Sequence, residues 1–297
     1  MAPPREAPRP PDCGLALRLV RGQFPAWAGL PLVEASGAGT DNAVFRLGPE
    51  LVLRLPRSPS AARQLRRELR WLPRLAPRLP IAVPEPVAEG QPAHGYPWPF
   101  AVYRWIEGES AAEAPLDLLA GARDLGRFVA ALGQVDLPGG PPTGPDQTRG
   151  RPLRVLDAEV RAALGRLAGV LDAPALLRRW EAAASLPPWS GPPRWLHADL
   201  HGANLIARDG RIAAVIDFGT LGVGDPACDL MPAWTVLTAR ARPAFRAAVA
   251  PSAETWERGR GWALAWALIA HAYYRERGHV LGPISGRTLA EVLADGD

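Results

Sequence analysis

The sequence predicts an α+β fold with two lobes, a small N-terminal lobe built on an antiparallel sheet and a larger, mainly helical C-terminal lobe. Two observations predict it. In the first part of the chain, strand-like apolar runs enclose one helical segment, and these runs span 43–47, 51–55, 84–88 and 100–106. From Leu116 onward, apolar residues recur at helical spacing instead. With 297 residues and 47% hydrophobic composition, the chain is long enough to bury two cores.

The boundary between the lobes is expected near residue 108, where the strand pattern ends. We therefore assign 12–108 to the N-terminal lobe and 109–297 to the C-terminal lobe. Residues 1–11 are rich in proline and arginine and contain no apolar run, so we expect a disordered tail, no secretory signal and a cytoplasmic protein. No run reaches the roughly 20 apolar residues that a membrane span needs. The sequence also has no known nucleic-acid-binding motif and no cluster of basic residues combined with aromatic ones, so we expect no nucleic-acid partner. We expect no obligate protein partner.

The first two strands, 43–47 and 51–55, are joined by the hairpin signal Gly-Pro-Glu. The segment before them, 36–42, reads Ser-Gly-Ala-Gly-Thr-Asp-Asn. Glycines let a backbone approach a ligand closely, and their amides can point at phosphate oxygens, although a plain turn is the alternative interpretation. The candidate nucleotide-binding residues of this segment are Gly37, Gly39, Thr40 and Asn42.

A helix is predicted at 60–72, because Ser58 and Pro59 are typical of an N-cap and a first helical residue. Its buried face is marked by leucines at positions 65, 69 and 72. Glu68 borders that face and is the one acid among five arginines of this segment. An inward-facing acid needs a partner, so we expect one for Glu68.

The C-terminal lobe begins with a helix after Leu116, followed by a turn-rich segment that we predict to be a surface loop, 138–151. Later elements are predicted as helices at 155–171 and 174–186, a short strand at 195–196, a hairpin of 205–207 with 212–216, and helices in the remainder. The hairpin turns at Asp209-Gly210, which is a strong two-residue turn signal.

Polar residues at the end of these strands form the most informative pattern of the chain. His197-Ala-Asp199 is followed by Asn204, and Asp217 comes 18 residues after Asp199 within Ile-Asp-Phe-Gly. Phosphoryl transfer needs a carboxylate beside the acceptor hydroxyl and oxygen ligands for Mg²⁺. We predict that Asp199 orients the hydroxyl and takes its proton, and that Asn204 and Asp217 ligate the metal. His197 is expected to hold the loop by hydrogen bonds, and His201 to be exposed at the surface.

The order and wording of these motifs resemble the aminoglycoside phosphotransferase family, small-molecule kinases with a two-lobed protein-kinase-like fold, over about residues 27–294. The resemblance implies that Asp199 is the catalytic residue and that Asp217 binds metal. It also implies structural hydrogen bonding by Asp225 and Asp229, within Gly-Asp-Pro-Ala-Cys-Asp. The residues that match the segment whose backbone meets the adenine are Trp105, Ile106 and Glu107.

The chain departs from the family at the phosphate-binding lysine. All 34 basic side chains are arginines, and the strand position where the family has this lysine is Arg54. A guanidinium keeps the charge and can bind phosphate bidentately, with Glu68 as its partner, but it differs from the point charge of a lysine. The implied cofactors are Mg²⁺ and ATP, with GTP as the alternative donor.

Three functions are compatible with these motifs. The first is a kinase that phosphorylates a hydroxyl of an antibiotic such as an aminoglycoside or a macrolide. The second transfers phosphate to a housekeeping metabolite, such as a sugar, an amino alcohol or a choline-like molecule, and the third is a nucleotide-binding pseudokinase, motivated by Arg54 alone. Aromatic residues could line the acceptor pocket or pack in the core, and the candidates are Trp234, Trp262 and Tyr273.

Overall fold

The computed structural model describes residues 11–35, 41–142 and 148–295. The chain divides into two compact units, the first from Met1–Ala76 and Pro84–Ile106, the second from Pro77–Val83 and Glu107–Asp297. Segment 77–83 lies in the second unit, although the sequence assigned it to the N-terminal lobe. The physical reason is a backbone contact, because Ala82 accepts the Val215 N–H at 3.0 Å. Of the expected tail, all but residue 11 lies outside the described residues.

The first unit contains an antiparallel sheet of five strands. They are β1 (Leu32–Glu34), β2 (Asn42–Leu47), β3 (Leu51–Pro56), β4 (Pro86–Gly90) and β5 (Phe100–Arg104). Their order in the sheet is β1-β2-β3-β5-β4. The four strands expected from the sequence are present, and β1 adds an edge strand that the apolar pattern did not indicate.

One face of this sheet packs on α1 (Cys13–Gln23), a helix that the sequence analysis did not predict. Asp12 caps it, because its Oδ1 accepts the Leu15 N–H at 2.7 Å. Leu19 of α1 lies in one buried cluster with Phe45 and Leu53 of the sheet. Side chains alternate along a strand, so the neighbours of Leu53 in β3 project to the opposite face.

The opposite face packs on α2 (Pro59–Leu75). Ser58 caps this helix as predicted, since its Oγ accepts the Ala61 N–H at 3.1 Å. Leu65 of α2 packs against Tyr103 of β5. Glu68, one turn further along the helix, is completely buried, and the alternation of β3 places Arg54 on the same face as this carboxylate.

The second unit contains two small sheets that carry the motif residues. The first is formed by β6 (Glu109–Ser110), β8 (Leu205–Arg208) and β9 (Arg211–Val215), and the second by β7 (Arg194–Leu196) and β10 (Gly222–Gly224). The predicted hairpin of β8 and β9 turns at Asp209 and Gly210, both with positive φ (52° and 73°). Strands β6 and β10 were not predicted from the sequence.

Helices make up most of the rest of the second unit. They are α3 (Leu118–Gly133), α4 (Asp157–Arg166), α5 (Ala173–Ser185), α6 (Pro232–Thr235), α7 (Arg242–Val249), α8 (Ala253–Tyr274) and α9 (Leu281–Ala294). The long helix α8 packs on α4, α5, α9 and the short helical turn 226–230. A Cβ on Gly259 would lie 2.6 Å from Leu230 Cβ, so this glycine allows the close approach of α8 to the turn. Within the described ranges, no helix has the length and apolar character required to span a membrane.

Candidate active site

The loop after β7 is held in a strained conformation by a buried carboxylate. Ala198 has φ of 68°, in the left-handed region that residues with a Cβ rarely adopt. Asp229 accepts the His197 N–H at Oδ2 and the Ala198 N–H at Oδ1, each at 2.7 Å. It is 2% exposed, and burial raises its pKa. The two hydrogen bonds fix the turn that directs Asp199.

His197 stabilises the same loop through both ring nitrogens. Its Nδ1 accepts the Asp199 N–H at 3.2 Å, so the proton lies on Nε2, which donates to the Ile216 carbonyl at 2.9 Å. Burial lowers the pKa of His197, while the charge of Asp229 acts in the opposite direction. The ring is therefore neutral, and its contacts are those of a structural support.

The Asp199 carboxylate has a different partner on each oxygen. Its Oδ1 accepts from Arg149 Nη2 at 3.0 Å, whereas its Oδ2 lies 3.3 Å from Asn204 Nδ2 and 3.5 Å from His201 Nε2. Burial alone would raise the pKa of Asp199, but the charge of Arg149 and the neighbouring His201 ring outweigh it and hold that pKa well below its usual value. Asp199 is therefore ionised at neutral pH and able to accept a hydrogen bond from a hydroxyl.

His201 is buried, and its expected surface position is wrong. Only 4% of the residue is exposed, because the ring packs against Trp266 of α8 with centroids 5.1 Å apart. Its Nδ1 has no hydrogen-bond partner in the part of the chain that the structure describes. The sequence of the loop around His201 gives no indication that α8, which is distant along the chain, covers the ring.

Asn204 and Asp217 are brought together by the pairing of β8 with β9. The Ile216 N–H, next to Asp217, donates to the Asn204 carbonyl at 2.9 Å. Asn204 Nδ2 donates to the Asp199 carbonyl at 2.9 Å, which leaves Oδ1 as its ligating atom. Among the described residues, no three His, Cys, Asp or Glu side chains converge as a metal site. Two oxygen ligands nevertheless fit Mg²⁺, which usually completes its shell with water and substrate phosphates.

Asp225 anchors the helical turn after β10. Its Oδ1 accepts the Ala227 N–H at 3.0 Å, and its Oδ2 accepts from Arg258 Nε of α8 at 2.8 Å. Both side chains are almost completely buried, with 5% and 4% exposure. Through these contacts Asp225, like Asp229, supports the structure around the loop that carries Asp199.

In the first unit, Arg54 forms an ion pair with Glu68. Arg54 Nη1 donates to both carboxylate oxygens, at 3.1 and 2.8 Å, and the Tyr103 hydroxyl donates to Oε2 at 3.0 Å. Glu68 is fully buried, whereas the Arg54 side chain is 14% exposed. The partner expected for Glu68 is thus present, and part of the Arg54 side chain remains exposed to solvent.

The other candidate nucleotide-binding residues are placed only in part. Gly37, Gly39 and Thr40 lie outside the described residues. Asn42 begins β2, is 8% exposed, and its buried Oδ1 has no hydrogen-bond partner in the described ranges. The Trp105 N–H donates to the Glu50 carbonyl at 2.7 Å, so this amide is already engaged within the first unit. Ile106 is half-buried and Glu107 is exposed.

The three aromatic candidates for the acceptor pocket are not brought together. Trp234 and Trp262 are buried in the core, with 0% and 1% exposure, and Trp234 Nε1 donates to Asp295 at 2.8 Å. Tyr273 is 53% exposed and lies three helical turns from Trp262 on α8, about 16 Å along the axis. The pocket assignment of Trp234 and Trp262 is corrected to core packing, because both side chains are almost completely buried.

Residues 33–262 match the model of the phosphotransferase enzyme family. The chain is similar to the structure of macrolide 2′-phosphotransferase MphH from Brachybacterium faecium, with 27% identity, coverage of 96% and 99% of the two chains, and a TM-score of 0.61.

Two aminoglycoside-modifying enzymes are also similar in structure. The GDP complex of aminoglycoside 2′-phosphotransferase-IIIa has 20% identity, coverage of 94% and 97%, and a TM-score of 0.70. The ADP-bound aminoglycoside phosphotransferase APH(2″)-Ib has 18% identity, coverage of 96% and 97%, and a TM-score of 0.60. No curated protein gave a significant match. The predicted α+β, protein-kinase-like fold class is confirmed.

Proposed function

The chain belongs to the phosphotransferase enzyme family and is a small-molecule kinase with a hydroxyl acceptor, and we propose that it phosphorylates a macrolide-like antibiotic with ATP or GTP as the donor. The geometry of Asp199 carries the catalytic part of this proposal. Its carboxylate is ionised, fixed on both oxygens and attached to a loop that Asp229 holds in a strained turn. A carboxylate fixed in this way can orient a hydroxyl before transfer.

Each polar group of the site has one role in the proposed reaction. Asp199 accepts a hydrogen bond from the acceptor hydroxyl; the hydroxyl oxygen forms a bond to the γ-phosphorus, and the bond from that phosphorus to the β,γ-bridging oxygen breaks. The proton passes to Asp199 late in the transfer. Mg²⁺ neutralises charge on the phosphate oxygens when it is bound, with Asn204 Oδ1 and the Asp217 carboxylate as its protein ligands. Arg54, oriented by Glu68, binds the nucleotide phosphates.

The nucleotide donor is ATP or GTP. Support comes from the similar enzymes, one of which was crystallised with GDP and another with ADP. Arg54 can bind the phosphates of both nucleotides, because a guanidinium reads phosphate geometry and not the base. A cytoplasmic location, where both nucleotides are available, is part of the proposal.

A macrolide-like acceptor is favoured over a polycationic aminoglycoside by charge. Residues 230–297 contain 8 arginines and 6 acids, and four of these acids form ion pairs within this region. These pairs are Glu257–Arg260, Glu276–Arg275, Glu291–Arg242 and Asp295–Arg242. An aminoglycoside needs several uncompensated acids, because each ammonium group loses solvation on binding. The 27% identity to a macrolide enzyme supports the same choice.

An acceptor screen tests the function. The purified protein is incubated with Mg²⁺ and γ-labelled ATP or GTP, and with erythromycin, kanamycin, choline or simple sugars in separate reactions. We expect label transfer to erythromycin and, by mass spectrometry, the addition of one phosphoryl group. Transfer to kanamycin alone would reverse the acceptor assignment, and transfer to choline or a sugar alone would make the protein a metabolite kinase. Nucleotide binding without any transfer would indicate a pseudokinase.

Replacement of Asp199 by asparagine tests the catalytic assignment. Asn has nearly the same shape but cannot take the proton, so kcat is expected to fall by about a thousandfold. Nucleotide affinity, measured by calorimetry, should change by less than about threefold, because no interaction with the nucleotide is removed. Equal turnover in D199N and the parent would remove Asp199 from this role.

A further inference from the structure

Arg149 is an arginine that donates directly to the Asp199 carboxylate, and nothing in the motif pattern indicated it. Its Nη2 donates to Asp199 Oδ1 at 3.0 Å, and its Nη1 lies 3.7 Å from Met231 Sδ. The Arg149 side chain is 23% exposed and that of Asp199 24%. Both groups are thus accessible to a small molecule and yet partly shielded from water.

The backbone next to Arg149 is fixed on the side away from Asp199. Gly150 has φ of 72°, and its carbonyl accepts the Asp225 N–H at 2.9 Å. A Cβ on Gly224 would lie 2.6 Å from the Gly150 oxygen, so glycine at 224 permits this contact. The buried Arg258 holds Asp225 in turn. The backbone from which the Arg149 side chain extends is therefore held by buried contacts of the second unit.

The partners of Asp199 determine where an acceptor hydroxyl can approach. Oδ2 faces Asn204 and His201, and Oδ1 faces Arg149. A carboxylate oxygen accepts about two hydrogen bonds, so the less crowded position is the second one on Oδ1. A hydroxyl bound there lies directly beside the guanidinium, and so does the phosphoryl group that it receives.

We propose that Arg149 is a catalytic residue whose guanidinium donates hydrogen bonds to the phosphoryl group during its transfer. The inference rests on the proposed function. A guanidinium has five N–H donors in a planar fork, and one of them binds Asp199. The others can bind the equatorial oxygens, over which negative charge spreads in the transition state. The guanidinium stays protonated throughout and exchanges no atoms with the substrate.

A purely structural role for Arg149 makes different predictions from a catalytic one. An arginine that only holds Asp199 would change kcat through the position and charge of that carboxylate and leave the binding of a phosphoryl mimic unchanged, whereas one that contacts the phosphoryl group also tightens the binding of that mimic. The variants that separate these roles are R149A, which removes the group, and R149K, which keeps a charge without the fork. Arg151→Ala is the matched control, because Arg151 lies in the same turn and its side chain is exposed.

The experiment measures kcat and KM for the nucleotide, with erythromycin or water as the acceptor. We expect R149A to lower kcat by about 100-fold and to change the nucleotide KM by less than about threefold. R149K should lose about tenfold in kcat, and R151A less than twofold. Methylguanidine added to R149A should restore part of its turnover, since it supplies the missing donors.

Binding of a transition-state mimic gives a second readout. Calorimetry compares ADP with ADP plus aluminium fluoride, both with Mg²⁺, and the parent should bind the mimic at least about tenfold more tightly. R149A should keep the ADP affinity of the parent and should bind the mimic no more tightly than ADP alone. If R149A does not fold, R149K decides by the same two measurements.

Binding of the mimic by R149A as tightly as by the parent, whatever the kcat of R149A, would overturn the assignment of Arg149 while leaving the kinase function in place. A higher KM with unchanged kcat would also overturn it and make Arg149 a structural residue. A parent protein that shows no turnover on any acceptor and binds the mimic no more tightly than ADP would instead overturn the proposed function, and this inference with it.

Discussion

Replacement of Asp229 by asparagine removes one acceptor from the turn that directs Asp199. Asp229 accepts two amides at 2.7 Å and is 2% exposed. Charge-assisted hydrogen bonds contribute about 1.5–3 kcal/mol each, and a buried unsatisfied amide costs about 1–3 kcal/mol. Asn keeps one neutral acceptor and turns an NH₂ group toward the Ala198 amide. We therefore expect the free energy of unfolding to fall by about 3 kcal/mol.

The activity of D229N should fall as well. The Ala198 peptide loses the contact that stabilises its positive φ, and a displacement of about 1 Å at Asp199 can lower the rate by about 100-fold. Urea unfolding gives the stability, and phosphate transfer from labelled nucleotide gives the rate. The same exchange at Asp172, an exposed N-cap of α5, serves as the control and should change stability by less than about 0.5 kcal/mol.

A double variant tests the physical reason. Glycine adopts positive φ without the cost of about 1–2 kcal/mol that other residues incur, so A198G should recover about 1 kcal/mol in the D229N background. A D229N protein with the stability and rate of the parent would refute the anchoring role of Asp229. A loss that A198G does not reduce would refute the strain at Ala198 as its cause.

Two further predictions concern the other ion pairs. Arg54→Lys introduces the lysine of the resembling family and should retain the pair with Glu68, so we expect the nucleotide KM to stay within about tenfold of the parent. Arg54→Met removes the charge and should raise this KM well beyond tenfold. A nucleotide KM in Arg54→Met equal to that of the parent would place the phosphate contact elsewhere. Asp225→Ala leaves the buried Arg258 without its carboxylate, although Thr255 and the Pro187 carbonyl still accept from it. It should lower the free energy of unfolding by about 3–5 kcal/mol in urea, and the added change Arg258→Met should recover part of that loss. Failure of the double variant to improve on the single one would contradict the charge argument.

Local patterns in the sequence predicted most of the first unit. The Ser58 cap, α2 and the hairpin of β2 and β3 follow from signals within a few residues of each element. Helix α1 was missed although Asp12 caps it, because it has only 11 residues and carries a glycine near each end, which weakens the helical signal. Strands β6 and β10 have only two and three residues, so the partner strand defines them and local pattern cannot.

The candidate site was predicted where it depends on a continuous motif. His197, Asp199 and Asn204 are close in sequence, and their hydrogen bonds form one loop. Arg149 lies 50 residues before Asp199, in a segment predicted as a surface loop, so only tertiary structure brings its charge to the carboxylate. His201 was misplaced for the same reason, since Trp266 of α8 covers it.

The arginine at position 54 changes how this kinase can be detected chemically. Reagents that carry a nucleotide and acylate the adjacent lysine require a neutral amine, and a guanidinium stays protonated at all accessible pH values. The Glu68 carboxylate accepts from this group, and the Tyr103 ring lies with its centroid 5.5 Å from the guanidinium carbon, so both stabilise its charge further. No lysine elsewhere in the chain could react instead. A survey of kinases by lysine labelling would therefore pass over this enzyme even where it is abundant and active.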